Sequence, residues 1–335
     1  MISKPNIKTT AKIIILFLLL YILYLQVFAN ESLSLETFLN QMAIKRPISA
    51  WICLFLCISL MPFNWLFELG KWWPKMRKIQ SNFSLLEAWS ALMVGLTVAM
   101  FTPNRVGEST GRAILVAPEN RAYSIFLGCY GAIAQWIILI LGGAIAFVFL
   151  PFYCIQCIDE WIIKSLIPFI IIIIFFLCYA YKSLPKVIHF LLRFAWLRPF
   201  IEPLKTQLEH EKISNDWLFF ILAMALGRYI VYLSQYILIL HFWNLPIDFP
   251  QMIIGIAIIY FLQTGVPLPV SLGLVARGSI AIFVFNWFLL KENALLILSA
   301  TFSLWILNLL FPAIIGSFIL IYHFFFPKNK NSIQS

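Results

Sequence analysis

The chain has 335 residues, 62% of them hydrophobic and 11% charged, with a formal net charge of +10. Soluble domains carry roughly 45–50% apolar and about 25% charged residues, so composition excludes an ordinary soluble globule. The basic residues sit in short segments beside apolar runs, where they set orientation and meet anionic lipid, which excludes nucleic acid as a partner.

Long apolar runs, without the every-second-residue alternation of a β-barrel, predict an all-α fold. The expected architecture is one polytopic membrane helical bundle over residues 1–335. In chain order, residues 1–12 carry Lys4, Lys8 and Lys12 and read as a cytoplasmic start. The run 11–29 is too long for a cleaved signal core and reads as a retained signal anchor. Segment 30–47 then falls outside, although Lys45 and Arg46 sit awkwardly near its end. A second run covers 48–68, and 69–84 follows with Lys71, Lys75, Arg77 and Lys78, an inside signal.

Runs 85–101 and 122–150 come next, then 151–159, which has no Lys or Arg and reads as outside. After the run 160–181, segment 182–215 holds Lys182, Lys186, Arg193, Arg198, Lys205 and Lys212, the strongest inside signal in the chain. Run 216–243 leads to 244–251, again without a basic residue. Runs 252–264, 278–290 and 293–326 complete the series, and the tail 327–335, with Lys328 and Lys330, reads as inside.

A simple count of crossings contradicts these charges. If 85–101 and 122–150 both crossed, the basic 182–215 segment would fall outside. The conflict disappears if 85–121 enters from the cytoplasm, turns within the membrane and returns. Runs 252–264 and 278–290 are each only about 20 Å of helix at 1.5 Å per residue, short for a 30 Å core. The turn between them holds Gly265, Pro267, Pro269, Gly273 and Gly278, and entry from outside with return satisfies the charges. The result is about six full crossings and two re-entrant helical hairpins from opposite faces, or seven to nine segments by a conventional count. Interrupted segments in corresponding positions point to a transporter's binding site within inverted repeats, although no sequence repeat between the halves is visible. The run 293–326 is too long for one upright span and predicts tilt, a kink at Pro312 or an end emerging from the bilayer.

The stretch "FTPNRVGESTGRAILVAPENR", residues 101–121, concentrates Arg105, Arg112, Arg121, Glu108 and Glu119 between apolar runs. Charge at membrane depth is costly and marks functional candidates by default. On a helix beginning after Pro103, with Thr102 as its cap, Arg105, Glu108 and Arg112 share one face. Helix N-termini and arginine forks both suit phosphate oxygens, and Glu108 can position Arg105 or meet an amine on a headgroup. Orientation alone also explains the cluster. Arg121 and Glu119 lean towards that structural reading, and Arg105 with Glu108 towards the functional one.

Arg228, inside an apolar run, reads either as a partner of this site or as a snorkelling side chain. Gln135, Gln235 and Gln263 suit interhelical hydrogen bonds, with cavity lining as the other reading. Segment 186–197 is amphipathic and suits the inner surface. Six cysteines do not form a secreted framework; Cys154 and Cys157, in a C-x-x-C, read as an incidental pair in preference to a disulfide or a metal site. No cofactor motif, glycine-rich nucleotide loop or nucleophile–base pair is evident.

"TPNRVGE", followed by Arg112, resembles the P-G-R-x-G-E signature of the lysylphosphatidylglycerol synthase transmembrane, or flippase-like, family. "PLPVSLGLVARG" resembles that family's second signature, approximately P-x-P-G-G-L-G-x-x-E. By position, Pro103, Arg105, Gly107 and Glu108 match the first motif, and Pro267, Pro269, Leu272 and Gly273 the second. Asn104 replaces the usual glycine, Val270 and Ser271 replace a glycine pair, and Ala276 followed by Arg277 stands where an acid is expected. The resemblance implies a stand-alone flippase-like protein without the soluble aminoacyl-transferring domain, in a cell membrane such as the bacterial inner membrane, with both termini cytoplasmic. It implies no enzyme activity and no cofactor. The expected substrate is an anionic or zwitterionic phospholipid, or a polyprenyl-phosphate-linked lipid. The expected headgroup site is Arg105, Glu108, Arg112, Arg228 and Arg277. The alternative reading is a scaffold or accessory subunit bound to a partner enzyme of lipid or glycan modification; an embedded lipid transferase is a third.

Overall fold

The computed structural model describes residues 46–102, 105, 107–154, 160–191, 204, 213–265, 273–288 and 294–325. The expected signal anchor 11–29, most of the basic segment 182–215 and the tail 327–335 lie outside them. The described residues form an all-α polytopic helical bundle. Helices α1 (Ile48–Ser59) and α2 (Met61–Gly70) make one span, and the short α3 (Trp73–Ile79) follows. Next come α4 (Leu85–Ala99), α5 (Gly107–Ala113), α6 (Arg121–Phe149) and α7 (Glu160–Leu191). The second part holds α8 (Asn215–Phe242), α9 (Phe249–Thr264), α10 (Gly273–Asn286), α11 (Ala294–Trp305) and α12 (Phe311–Phe325). Among the described residues, five helical spans are long and apolar enough to cross a membrane: 48–70, 118–152, 168–186, 215–242 and 294–325.

Local sequence sets the helix starts. Ser84 and Glu87 form a reciprocal capping box at the head of α4, satisfying N–H groups that a first turn leaves unpaired. Asp248 and Gln251 do the same for α9, and the Ser214 hydroxyl accepts from the Trp217 N–H at 3.3 Å for α8. The C-terminal run is broken at its centre by a π-helical turn, Ile306–Leu310. Pro312 has no N–H to offer the carbonyl four residues earlier, so the expected interruption takes this form.

Several boundaries differ from the sequence reading. Helix α7 continues through Pro185 to Leu191, so Lys182 and Lys186 are helical and do not belong to a connecting loop. Only the start of the amphipathic 186–197 segment is described, and it is the end of this helix. Only 11% of the window 168–186 is buried, as expected of a helix facing lipid. Helix α10 begins at Gly273 and not near 278, which moves Arg277 from the expected turn onto a helix. Cys154 is disulfide-bonded, which overturns the reading of an incidental pair. Arg46 is not an awkward loop cation: its guanidinium donates to the Phe242 carbonyl at 2.7 Å, capping the C-terminus of α8, and lies 4.3 Å from the Trp243 ring centre.

The order of elements repeats. A long span (α1–α2) precedes a short pair (α4, α5) and a long span (α6); then α8 precedes the pair α9, α10 and the broken span α11–α12. The packing repeats with it. Helix α4 lies on α12 and α9 on α6, while α5 packs on α6 and α10 on α11. The leading spans pair with each other: Gly227 of α8 lies against Phe67, and Gly70 against Met224, so α2 and α8 run antiparallel. Corresponding elements therefore point in opposite directions, which is the arrangement of an inverted repeat.

Each exchanged interface also contains a glycine. A Cβ at Gly316 of α12 would stand 2.1 Å from the Met93 carbonyl of α4, and one at Gly143 of α6 would stand 2.3 Å from Phe261 of α9. Small residues of this kind let membrane helices approach closely. Helix α8 departs from the pattern by packing on both α6 and α11.

Candidate functional site

The two short pairs bring the C-terminal ends of α4 and α9 and the start of α5 into the bundle. Helices α4 and α9 have 15 and 16 residues, or about 22 to 24 Å at 1.5 Å per residue, roughly half of what the 29-residue α6 covers. Beside their ends lies a cavity of about 280 Å³. Gln135 of α6, Arg228 of α8 and Asn308 of the π turn line it, and each is near the middle of its long helical span. The cavity is therefore deep in the bundle, reaching from the middle of these three spans to Glu68 and Lys71 at the end of the first.

The first turn is shaped by Thr102 and Arg105. Arg105 adopts a left-handed backbone, φ 58°, which is uncommon for a residue with a side chain. Thr102 Oγ1 accepts from the Gly107 N–H at 2.8 Å, and α5 starts at Gly107. The helix expected to begin after Pro103 thus begins four residues later, and Arg105 precedes it. Glu108 and Arg112 still share a face of α5, and Arg105 joins them through the turn. Helix α5 presses on α4 because Gly95 is small; a Cβ there would stand 2.6 Å from the Glu108 carbonyl.

Two carboxylates organise the charges. Glu68 accepts from Arg112 at 2.6 Å, and Lys71 lies 2.5 Å away. Arg228 donates to the other Glu68 oxygen and holds Asn64 at 2.7 Å through Nε and Tyr232 at 2.9 Å. Glu108 pairs with Arg112 one helical turn on, and with Arg105 at 2.9 Å. Lys71 reaches the Gln135 amide oxygen at 3.4 Å, and that amide donates to the Ala225 carbonyl. Arg277 and Ala276, from α10, enter the cavity wall from the second pair.

Burial of such a network is costly unless each charge is compensated. Here five cationic side chains (Lys71, Arg105, Arg112, Arg228, Arg277) meet two carboxylates, an excess of three positive charges. No carboxylate among the described residues pairs with Arg277. Nε of Arg105 and of Arg112 are buried without a hydrogen-bond partner among them. The Arg105 Nη2 contact with Glu108 is an ion pair whose angle does not make a hydrogen bond.

The structure brings Arg105, Glu108, Arg112, Arg228 and Arg277 together on one cavity. Arg228 faces the interior, so its snorkelling reading is set aside. Gly107 and Gly273 begin the second helix of each pair. Pro103, Asn104, Pro267 and Pro269 lie outside the described residues. Arg121 is exposed and donates to the Val116 and Ile114 carbonyls, a structural role, and Glu119 is exposed beside it. Gln235 is fully buried in an interhelical bond to the Cys57 carbonyl, whereas Gln263 lines the cavity.

Two central residues escape the sequence reading. Charge bookkeeping places Lys71 in a cytoplasmic connection, yet it is 1% exposed and meets Glu68. Glu68 is not among the expected site residues, although it is the one charged residue of the 48–70 run. A lone acid in such a run is the signal that points to it.

No family model, curated protein or solved structure matches this chain. The site therefore has to be interpreted from its own chemistry.

Proposed function

We propose that this protein is a membrane lipid translocase that carries a phosphate-bearing lipid headgroup between leaflets. The observation that carries this reading is the cavity itself: lined by charged side chains with positive charge in excess, and set among apolar spans where two inverted helical pairs meet. Irregular backbone and charge at that depth are tolerated only where they line a protein-enclosed or wet site. In inverted-repeat carriers, such a site is exposed to alternate faces as one repeat rocks against the other. The short pairs serve as re-entrant hairpins, α4–α5 from the cytoplasmic face and α9–α10 from the opposite one. The basic segments lie on the cytoplasmic side of a cell membrane. The motif resemblance around Arg105 and Gly273 points to the same class of activity.

A cavity of about 280 Å³ is at the lower end of small-molecule sites, which span about 300–1,000 Å³, so it suits a headgroup and not a whole lipid. Trp136 lines its wall and is 37% exposed, which offers acyl chains an apolar surface beside the headgroup site. Purified protein in vesicles bearing a fluorescent phospholipid tests the reading, with a membrane-impermeant quencher reporting the outer leaflet. Leaflet transfer above the protein-free rate is expected, with loss in Arg105→Gln and Glu108→Gln. Unchanged transfer in both variants would count decisively against the site.

A further inference from the structure

We infer that the lipid ends in a phosphomonoester, a dianionic group held between Arg105 of the first turn and Arg277 of α10. This rests on the translocase reading and names its substrate class. Glu68 takes charge from Lys71, Arg112 and Arg228, and Glu108 from Arg112 and Arg105. Arg277 has no carboxylate among the described residues, and it lines the same cavity as Arg105. Arg105 keeps a buried Nε without a partner. The two least compensated cations of the cavity thus line it from opposite helical pairs.

An anion between them satisfies the free donors and is attracted to both. Guanidinium forks match phosphate oxygens two at a time. A phosphomonoester offers three terminal oxygens and about −1.5 to −2 charges at neutral pH, against an excess of three positive charges. A phosphodiester offers two free oxygens and one charge. A headgroup amine would fare worse, because both carboxylates already meet arginines or lysine and no further acid among the described residues lines the wall. The apolar side at Trp136 favours a lipid over free phosphate as the source. Bound there, the ligand ties the two hairpins together, so occupancy and repeat movement are coupled.

The test uses the full chain in detergent, with short-chain phosphatidic acid as the probe, compared with short-chain phosphatidylcholine, phosphatidylethanolamine and inorganic phosphate. Phosphatidic acid is expected to bind at least about tenfold more tightly than the other lipids, since one charged hydrogen bond contributes that much or more. Arg277→Gln is expected to lose about tenfold or more of that preference while the variant stays monodisperse, and Arg277→Lys to keep part of it. Equal binding of phosphatidylcholine, or undiminished preference in a folded Arg277→Gln, overturns the assignment. Inorganic phosphate binding as tightly as phosphatidic acid overturns the lipid source. Leaflet transfer is measured separately in vesicles. Transfer of phosphatidylcholine alone sinks the phosphomonoester and leaves the translocase, whereas tight phosphatidic acid binding with no transfer of any lipid does the reverse.

Discussion

Arg112 donates to Glu68 at 2.6 Å, joining the seven-residue α5 to the end of the first span. Glu68 also receives Arg228 from a position 160 residues further along, so one carboxylate holds three parts of the chain. Removing one member of a buried charge group costs about 3–5 kcal/mol, because the remaining charges are left uncompensated. Glu68→Gln is therefore expected to lower the thermal unfolding temperature sharply or to abolish monodisperse purification. A melting curve within a degree or two of wild type would remove Glu68 from its central position.

Arg105 and Arg121 occupy the two ends of the same charged stretch but should behave differently. Arg121 is exposed and among the described residues bonds to main-chain carbonyls, so Arg121→Gln should change stability by no more than about 0.5 kcal/mol and leave leaflet transfer intact. Arg105→Gln should abolish transfer with little loss of stability, since its side chain is 24% exposed and its Nε is unpaired. Equal effects on transfer from both variants would show that the stretch acts through overall charge and not through a site.

The inverted packing predicts matched sensitivity at two glycines. Gly316→Ala and Gly143→Ala each place a Cβ within contact distance of main chain or of a ring-bearing side chain. Overpacking of this kind costs typically about 1–3 kcal/mol. Both variants should unfold at lower temperature than wild type. The two should suffer comparably, because the Met93 carbonyl and the Phe261 Cβ both move only with the backbone. A neutral Gly316→Ala would mean that α4 and α12 are further apart than described.

Orientation can be tested with single cysteines in a background lacking the native ones. Ser81 and Pro246 are exposed, in the turn before α4 and in the connection after α8. Ser81→Cys should react with an impermeant thiol reagent only from the cytoplasmic side, and Pro246→Cys only from the other. Labelling of both from one face would rule out the proposed arrangement of the repeats.

Much of this molecule is legible in residue type and spacing alone. Apolar runs locate the spans, and helices 85–99 and 121–149 lie within a few residues of the expected 85–101 and 122–150. The charged stretch 101–121 separates into an inner part that lines the cavity and an exposed outer pair. Where the sequence misleads, the cause is local ambiguity. Lys71 lies at the end of an apolar run, the usual place for an interfacial lysine, and composition gives the same signal whether it faces water or Glu68. The left-handed Arg105 delays the start of α5, and no propensity foretells it because the turn is fixed by Thr102 and by contact with α4.

The sequence by itself determined that the chain forms apolar helices, that two stretches were too short or too interrupted to be simple crossings, and that charge was concentrated at Arg105, Glu108 and Arg112. Those properties depend on residue type and spacing along the chain. Only the tertiary structure decided that Glu68, Lys71, Arg228 and Arg277 share one cavity with them, with positive charge in excess. That depends on which helix faces which, and the packing of α4 on α12 and α9 on α6 sets it.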